Sequence, residues 1–186
     1  MPKLTVHTTE TAPEGSREIL DNVEQKFGFV PNVMRQMAES PQMLGGTLQL
    51  MMLLENCSLS PSESWLTLLV TSSHNYANYC VAANSTFAKM MGVPDDVIQA
   101  VRQGQPIADA KLEALRIFAT EMVQNRGEVT AQTTQRFVDA GYSNAQLLDV
   151  ILAIGLETIA SFTVLAAATP VDEPFQPNAW EKPAAA

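Results

Sequence analysis

An all-α domain is what this sequence predicts, and three observations carry the prediction. Apolar residues recur at spacings of three and four along most of the chain, as in Ile19, Leu20, Val23 and Phe27. Helix punctuation frames them: Pro31, Pro41, Pro61 and Pro94 stand where helices open, and Gly28, Gly104, Gly127 and Gly141 where they stop. No run alternates in the manner of a strand, and no repeat or low-complexity tract breaks the pattern.

Taken in order, residues 1–12 form a flexible leader, and Pro13 opens a helix that runs to Phe27. Short segments follow from Pro31 to Glu39 and from Pro41 to about Glu55. The latter is rich in Leu and Met on most sides, which marks a helix buried in a core or a subunit interface. Its methionines are read as irregular core filling. Pro94 starts a short helix ending near Gly104, Asp109 a longer one to Arg126, and Thr130 caps a third that Gly141 closes. Ser143 or Asn144 then caps the last long helix, Ala145 to about Ala168, with Leu148, Ile151, Leu152, Leu156 and Ile159 as its apolar face. One domain over 13–170 results. Residues 171–186, interrupted by Pro174, Pro177 and Pro183, read as an extended arm that Phe175 and Trp180 pin to the body or to a neighbour.

The chain has 186 residues, enough for one core, with 46% hydrophobic and 17% charged residues. Its net charge of −9 gives nucleic acid or an anionic membrane no basic footprint. No run is expected to reach the roughly 20 apolar residues of a membrane span. The first fifteen residues lack the apolar segment of a secretory signal, so a cytoplasmic location is expected. Two cysteines, Cys57 and Cys80, make no disulfide framework.

The stretch Leu59 to Gly92 organises the rest. It reads as two helices, one after Pro61 and one from near Ala77, joined by the polar break Ser72-Ser73-His74-Asn75-Tyr76. In the second helix Ala77, Cys80, Asn84 and Phe87 share one face. Cys80 falls in the first turn, where free N–H groups and the helix dipole favour a thiolate.

With its leader Leu59-Ser60-Pro61 and its helix Tyr79-Cys80-Val81-Ala82-Ala83, this stretch resembles the central motif of the alkylhydroperoxidase D-like, carboxymuconolactone decarboxylase superfamily. The likeness extends through Phe27 to Asn32, Ala140-Gly141-Tyr142 and Ala167 to Pro170, and so covers most of the chain. It implies an all-α alkylhydroperoxidase D-like fold and a homo-oligomer. It also implies a Cys-x-x-Cys-x-x-x-His centre with a relay glutamate, which this chain lacks. Ala77 stands at the first cysteine, Asn84 at the histidine and Trp65 at the glutamate, and Cys80 alone matches. The frame is kept while the pocket positions are changed, as natural divergence or deliberate redesign of the site would leave them.

Each candidate has a functional and a bland reading. Cys80 is a peroxide-reactive thiol by resemblance, or a small buried hydrophobe; with no partner at Ala77, peroxidase turnover is not expected. His74 is a general base in reach of a central pocket, or a loop histidine capping a helix end. Glu157 is a base of raised pKa if its stripe, with Ser161, Val164, Leu165 and Ala168, faces the pocket. It is a solvated charge if that stripe faces outward, and the resemblance, with lysine common at this place, favours exposure or an interface ion pair. Trp65, Phe162 and Leu165 with the shortened Ala77 would wall an aromatic, mostly apolar cavity, to which Tyr76, Asn84, Ser72 and Ser73 add polar groups. Two histidines and scattered carboxylates give no metal site, and no cofactor is expected.

Three functions stay open. The first is a dismantled redox centre whose pocket binds, or transforms by proton transfer through His74 or Glu157, a small apolar or aromatic molecule. The second is a thiol-dependent hydroperoxide reductase using Cys80, and the third a non-catalytic oligomeric scaffold.

Overall fold

The computed structural model describes residues 4–182. The leader's first three residues and the arm's last four, Pro183 among them, lie outside the described residues. Among the described residues nine α-helices follow one another: α1 Glu14–Phe27, α2 Asn32–Met37, α3 Pro41–Glu55, α4 Pro61–His74, α5 Asn78–Met90, α6 Asp95–Arg102, α7 Ala110–Gln124, α8 Ala131–Asp139 and α9 Asn144–Ala167. A 3-10 segment, Glu173–Asn178, closes the described chain, which contains no strand.

Local chemistry places the ends. At α4 the Ser60 side chain accepts from the Glu63 N–H, the Glu63 carboxylate accepts from the Ser60 N–H, and Pro61 takes the position that needs no donor. Ser143 and Gln146 make the same reciprocal pair at α9, so Ser143, not Asn144, is its cap. Asp109 and Thr130 cap α7 and α8 as the sequence predicts. Gly28 ends α1 at φ 77°, a left-handed value that an L side chain adopts only with strain.

Helix α4 is the axis of the molecule. It packs against α5, α6, α7 and α9, and nine of its residues are buried. On one side Leu66, Leu69 and Val70 meet Leu115, Phe118 and Val150 in the largest core cluster. Phe118, Phe137 and Tyr142 stack in series at centroid distances of 4.4 Å. Burial of such side chains is worth about 2 kcal/mol or more apiece, and this side carries most of them.

Several sequence expectations need correction. The polar break is shorter than read: α4 runs through Ser72, Ser73 and His74, and the turn is Asn75-Tyr76-Ala77, with Tyr76 at φ 56°. The leader is not loose over its described part. His7 is buried, its N–H donates to the Arg35 carbonyl, and its Nε2 lies 2.8 Å from Glu39. The arm is not extended throughout, since Glu173–Asn178 winds as a 3-10 segment, and Phe175 and Trp180 are buried against the body, one of the two places the sequence offers for them.

The face of α9 is the largest misreading. Leu148 is 65% exposed and Ile151 43%, whereas Val150, Ala153, Leu156, Glu157, Ser161 and Val164 turn inward. Val150, Ala153 and Leu156 of α9 pack with Leu66, Leu68 and Leu69 of α4, and Leu148 and Ile151 fall on the outer side. Nor is it true that no run is long enough for a membrane span: α9, at 24 residues, passes by length and composition. In the structure it packs on α2, α3, α4, α5 and α7.

Candidate functional site

Where α4, α5 and α9 meet, with α2 and α3 closing one side, lies a pocket of about 100 Å³. Trp65 and Leu68 reach it from α4, Cys80, Asn84 and Phe87 from α5, and Leu156 and Glu157 from α9. The α5 residues follow from the shared face that the sequence predicts. Most of the wall is apolar, and three of its polar residues, Cys80, Asn84 and Glu157, gather at one place.

That place is a buried carboxylate with three partners. Glu157 is 4% exposed, which overturns the exposed reading. Asn84 Nδ2 donates to its Oε2 at 2.9 Å, and Ser161 Oγ donates to its Oε1 at 2.8 Å. Asn84 is oriented in turn by a second bond, 3.3 Å to Ser72 Oγ. The third partner is the Cys80 thiol. Burial pushes the Glu157 carboxyl up to about 7, held from going further by Asn84, Ser161 and Cys80. The thiol is fully buried and pushed well above its ordinary value, by desolvation first and then by the Glu157 charge. The expected thiolate is therefore absent: burial outweighs the helix dipole at this first turn.

Trp65 and Phe87 stack at 4.8 Å with an interplanar angle of 26°. Beyond them is a second apolar groove of about 330 Å³, which shares Met51, Trp65, Leu68, Phe87 and Leu156 with the inner pocket. The stack is the partition between the two.

The other predicted site residues lie elsewhere. His74 and Tyr76 border a separate cavity with Ser73, Arg116, Thr120 and Gln124. Nine residues separate His74 from Trp65, about two and a half turns, which puts them on opposite faces of α4. Phe162, 62% exposed, and Leu165, 48% exposed, face outward and wall nothing. Ala77 is buried at the head of α5, beneath the pocket lining rather than in it.

Sequence reasoning missed Tyr79, Met51 and Phe175, all on the wall. The Tyr79 hydroxyl donates to Asp172, 93 residues away, and burial followed by that carboxylate pushes its pKa far up. It is a locked phenol rather than an acid. Nothing local signals such a partner. Among the described residues no three His, Cys, Asp or Glu side chains gather as a metal site.

Neither a family model nor a curated protein matches this sequence. Solved structures do. An uncharacterized peroxidase-related protein from Ralstonia eutropha JMP134, described as an alkylhydroperoxidase AhpD core, superposes with a TM-score of 0.82 at 19% identity, covering 94% of this chain and 95% of that one. The fold is that of the alkylhydroperoxidase D core. A peroxidase-related protein from Silicibacter sp. TM1040 shares the alkylhydroperoxidase D fold with a TM-score of 0.79 at 18% identity, over 94% and 92% of the two chains. The debrominase Bmp8 gives 0.78 at 16% identity, over 94% and 95%. A cysteine-to-alanine variant of that debrominase, similar at 0.77 and 17% over 96% of each chain, holds 2,3,4-tribromopyrrole. In the alkylhydroperoxidase D fold of the present chain, Trp65, Cys80 and Asn84 share one pocket, and Glu157 supplies its carboxylate from α9.

Proposed function

We propose that the Cys80 pocket binds a small, flat, apolar molecule and that Glu157 moves a proton on it. One observation carries this reading: a carboxyl group held near pKa 7 by burial, at the polar end of an otherwise apolar, aromatic-walled pocket. A base so tuned is about half ionised at neutral pH, yet strong enough to accept a proton from a weakly acidic C–H. Asn84 and Ser161 hold both carboxylate oxygens in place, so little reorganisation accompanies the transfer. Glu157 takes the proton from the substrate and returns it at the same or a neighbouring atom, so no redox partner enters. His74 has no part in this step.

Size and shape narrow the ligand. A cavity of 100 Å³ takes roughly one six-membered ring, and a dry apolar cavity of about 150 Å³ is known to hold benzene. Anything larger displaces the Trp65–Phe87 stack into the outer groove. That a neighbour of the same fold holds a brominated pyrrole supports the flat-ring class. Burying one such ring gives roughly micromolar to millimolar affinity after association costs. The hydroperoxide-reductase alternative has less support: Cys80 and Cys57 are both free thiols, Ala77 offers no resolving sulfur, and the Cys80 thiol is held protonated.

The same reading includes self-association. Leu148, Ile151, Phe162 and Leu165 form an exposed apolar stripe along α9, and Gly155 in its middle leaves room for a second copy to approach. Sedimentation would show an oligomer that Phe162→Glu dissociates.

The deciding experiment follows hydrogen–deuterium exchange at the acidic C–H of phenylacetone by NMR, alongside Trp65 fluorescence in a Trp180→Phe background. Exchange that rises through pH 7 and vanishes in Glu157→Gln supports the base. Binding without catalysed exchange leaves a binding protein, and no binding at all returns the scaffold reading.

A further inference from the structure

On the opposite face of α4 from Trp65 is a larger cavity, about 400 Å³, that the Cys80 chemistry does not use. Val70, Ser73 and His74 of α4, the end of α6, α7 and the C-terminal segment enclose it. Its charged lining residues are Arg102, Arg116 and Lys182, and no Asp or Glu lines it. In a chain of net charge −9 that is a reversal of sign.

The three cations are not equally neutralised. Arg116 is clasped by Glu113 through two bonds of 2.7 Å, and still its charge helps hold His74 below its ordinary value, after burial. Arg102 spends its donors on neutral acceptors: Ser85 Oγ at 3.0 Å and the carbonyls of Asn178 and Ala179 at 3.0 and 2.9 Å. Lys182 stands 3.6 Å over the Tyr76 ring, and among the described residues it has no carboxylate partner. An ammonium on a ring face remains free to meet an anion.

The neutral groups are also arranged for a ligand. His74 Nε2 lies 3.0 Å from Thr120 Oγ1, and its Nδ1 lies 3.4 Å from the Gln124 amide. Accepting from Gln124 at Nδ1 leaves the proton on Nε2, so the ring is neutral and fixed. Trp180, whose indole N–H donates to the Arg102 carbonyl, and Val70 with Val101 give the cavity an apolar side. The C-terminal segment thus brings Trp180 and Lys182 to a wall that α4, α6 and α7 leave open.

We infer that this cavity is a binding site for a small organic anion, a carboxylate or phosphate on an apolar or aromatic body, held between Arg102 and Lys182. The anion faces Arg102 from α6, Arg116 from α7, Lys182 and Tyr76 from the tail and turn, and His74 from α4; Glu113 acts only through Arg116. An anion here offsets the Arg116 charge, which adds to burial in keeping His74 neutral, so binding raises the His74 pKa. By the same linkage, affinity rises as pH falls through the bound His74 midpoint.

The test uses the full chain with three probes, benzoate, phenyl phosphate and inorganic phosphate, and benzamide as the uncharged control. The His74 C–H resonance is followed against pH, and His7→Gln assigns the other histidine. Benzoate or phenyl phosphate should move the His74 midpoint upward, and benzamide should not. If benzoate and phenyl phosphate both bind, the apolar body contributes; if inorganic phosphate matches phenyl phosphate, the site reads the anion alone, and both results support an anion site. Lys182→Gln should weaken binding by about fivefold at most, as an exposed pair does, and Arg102→Gln roughly tenfold or more, with Arg102→Lys recovering part of the loss. Trp180 fluorescence in each variant reports whether the tail is still seated, and Lys182→Gln leaves its Phe175 and Trp180 anchors untouched. No His74 shift with any anion, or equal binding of benzamide, overturns the proposal.

Discussion

One helix, two faces: on one, Trp65 and Leu68 of α4 border a small apolar pocket whose single ionisable base is Glu157; on the other, Ser73 and His74 border a cavity four times as large, lined by cations. The histidine, the residue type most used for proton transfer, sits on the polar face with two hydrogen-bond partners and a lowered pKa. The carboxylate sits on the apolar face with a raised one. Environment, more than residue type, decides which group becomes a base near neutral pH. Burial of an acid raises its pKa toward 7 and burial of a histidine moves its pKa away from it.

The largest effect should come from Glu157→Gln. The amide still accepts from Asn84 and pairs with Ser161, but takes no proton, so catalysed exchange in the Cys80 pocket should fall about a hundredfold or more. Steady-state exchange rates check this. His74→Gln is the matched control on the other face and should leave the same rate within about twofold, since distant sites act independently. Equal losses in both variants would erase the distinction between the faces.

A stability measurement sharpens the comparison. The Glu157 pKa is raised in the folded protein, to about 7 from an ordinary 4.5. Its contribution is therefore fully present below pH 4.5 and is lost as pH rises through 7, by about 3 kcal/mol. Glu157→Gln should flatten that slope and be the more stable form at pH 8. Denaturant midpoints at pH 5 and pH 8 decide it, and an unchanged slope would mean that the carboxyl is hydrated.

Trp65→Ala removes the partition between the inner pocket and the outer groove. It should lower stability by about 2 kcal/mol, less than for a fully buried tryptophan because Trp65 is half-buried. Single-ring ligands should bind more weakly while two-ring ligands gain, and calorimetry with phenol and 2-naphthol reads the crossover. Smallest of all is the peroxide response. Consumption coupled to a dithiol should stay at background, in the parent and in Cys80→Ser alike, because no second sulfur stands at Ala77.

Much of the frame was legible. Pro61 with Ser60 and Glu63, Ser143 with Gln146, and the glycines that stop α1 and α8 are local signals, acting within four residues, and the helices follow them. The α5 face that puts Cys80, Asn84 and Phe87 on one wall was legible for the same reason, since helical period is a local property. His74 was misplaced by treating nearness in sequence as nearness in space; its distance of nine residues from Trp65 already separates their faces.

Sequence by itself determined the all-α class, the order of helices, their caps, and the resemblance that joins Trp65, Cys80 and Asn84 in one site. Tertiary structure alone decided which side of α9 is inside. Hydrophobicity reads Leu148, Ile151, Leu152, Leu156 and Ile159 as the core face, but of these only Leu156 is buried, while the stripe of Val150, Ala153, Leu156, Glu157 and Ser161 turns toward the helices packed on α9. Glu157 is carried inward on that stripe, out of reach of water. Its placement is set by the packing of α9 on helices as far away in the chain as α2, which no local pattern in the chain encodes.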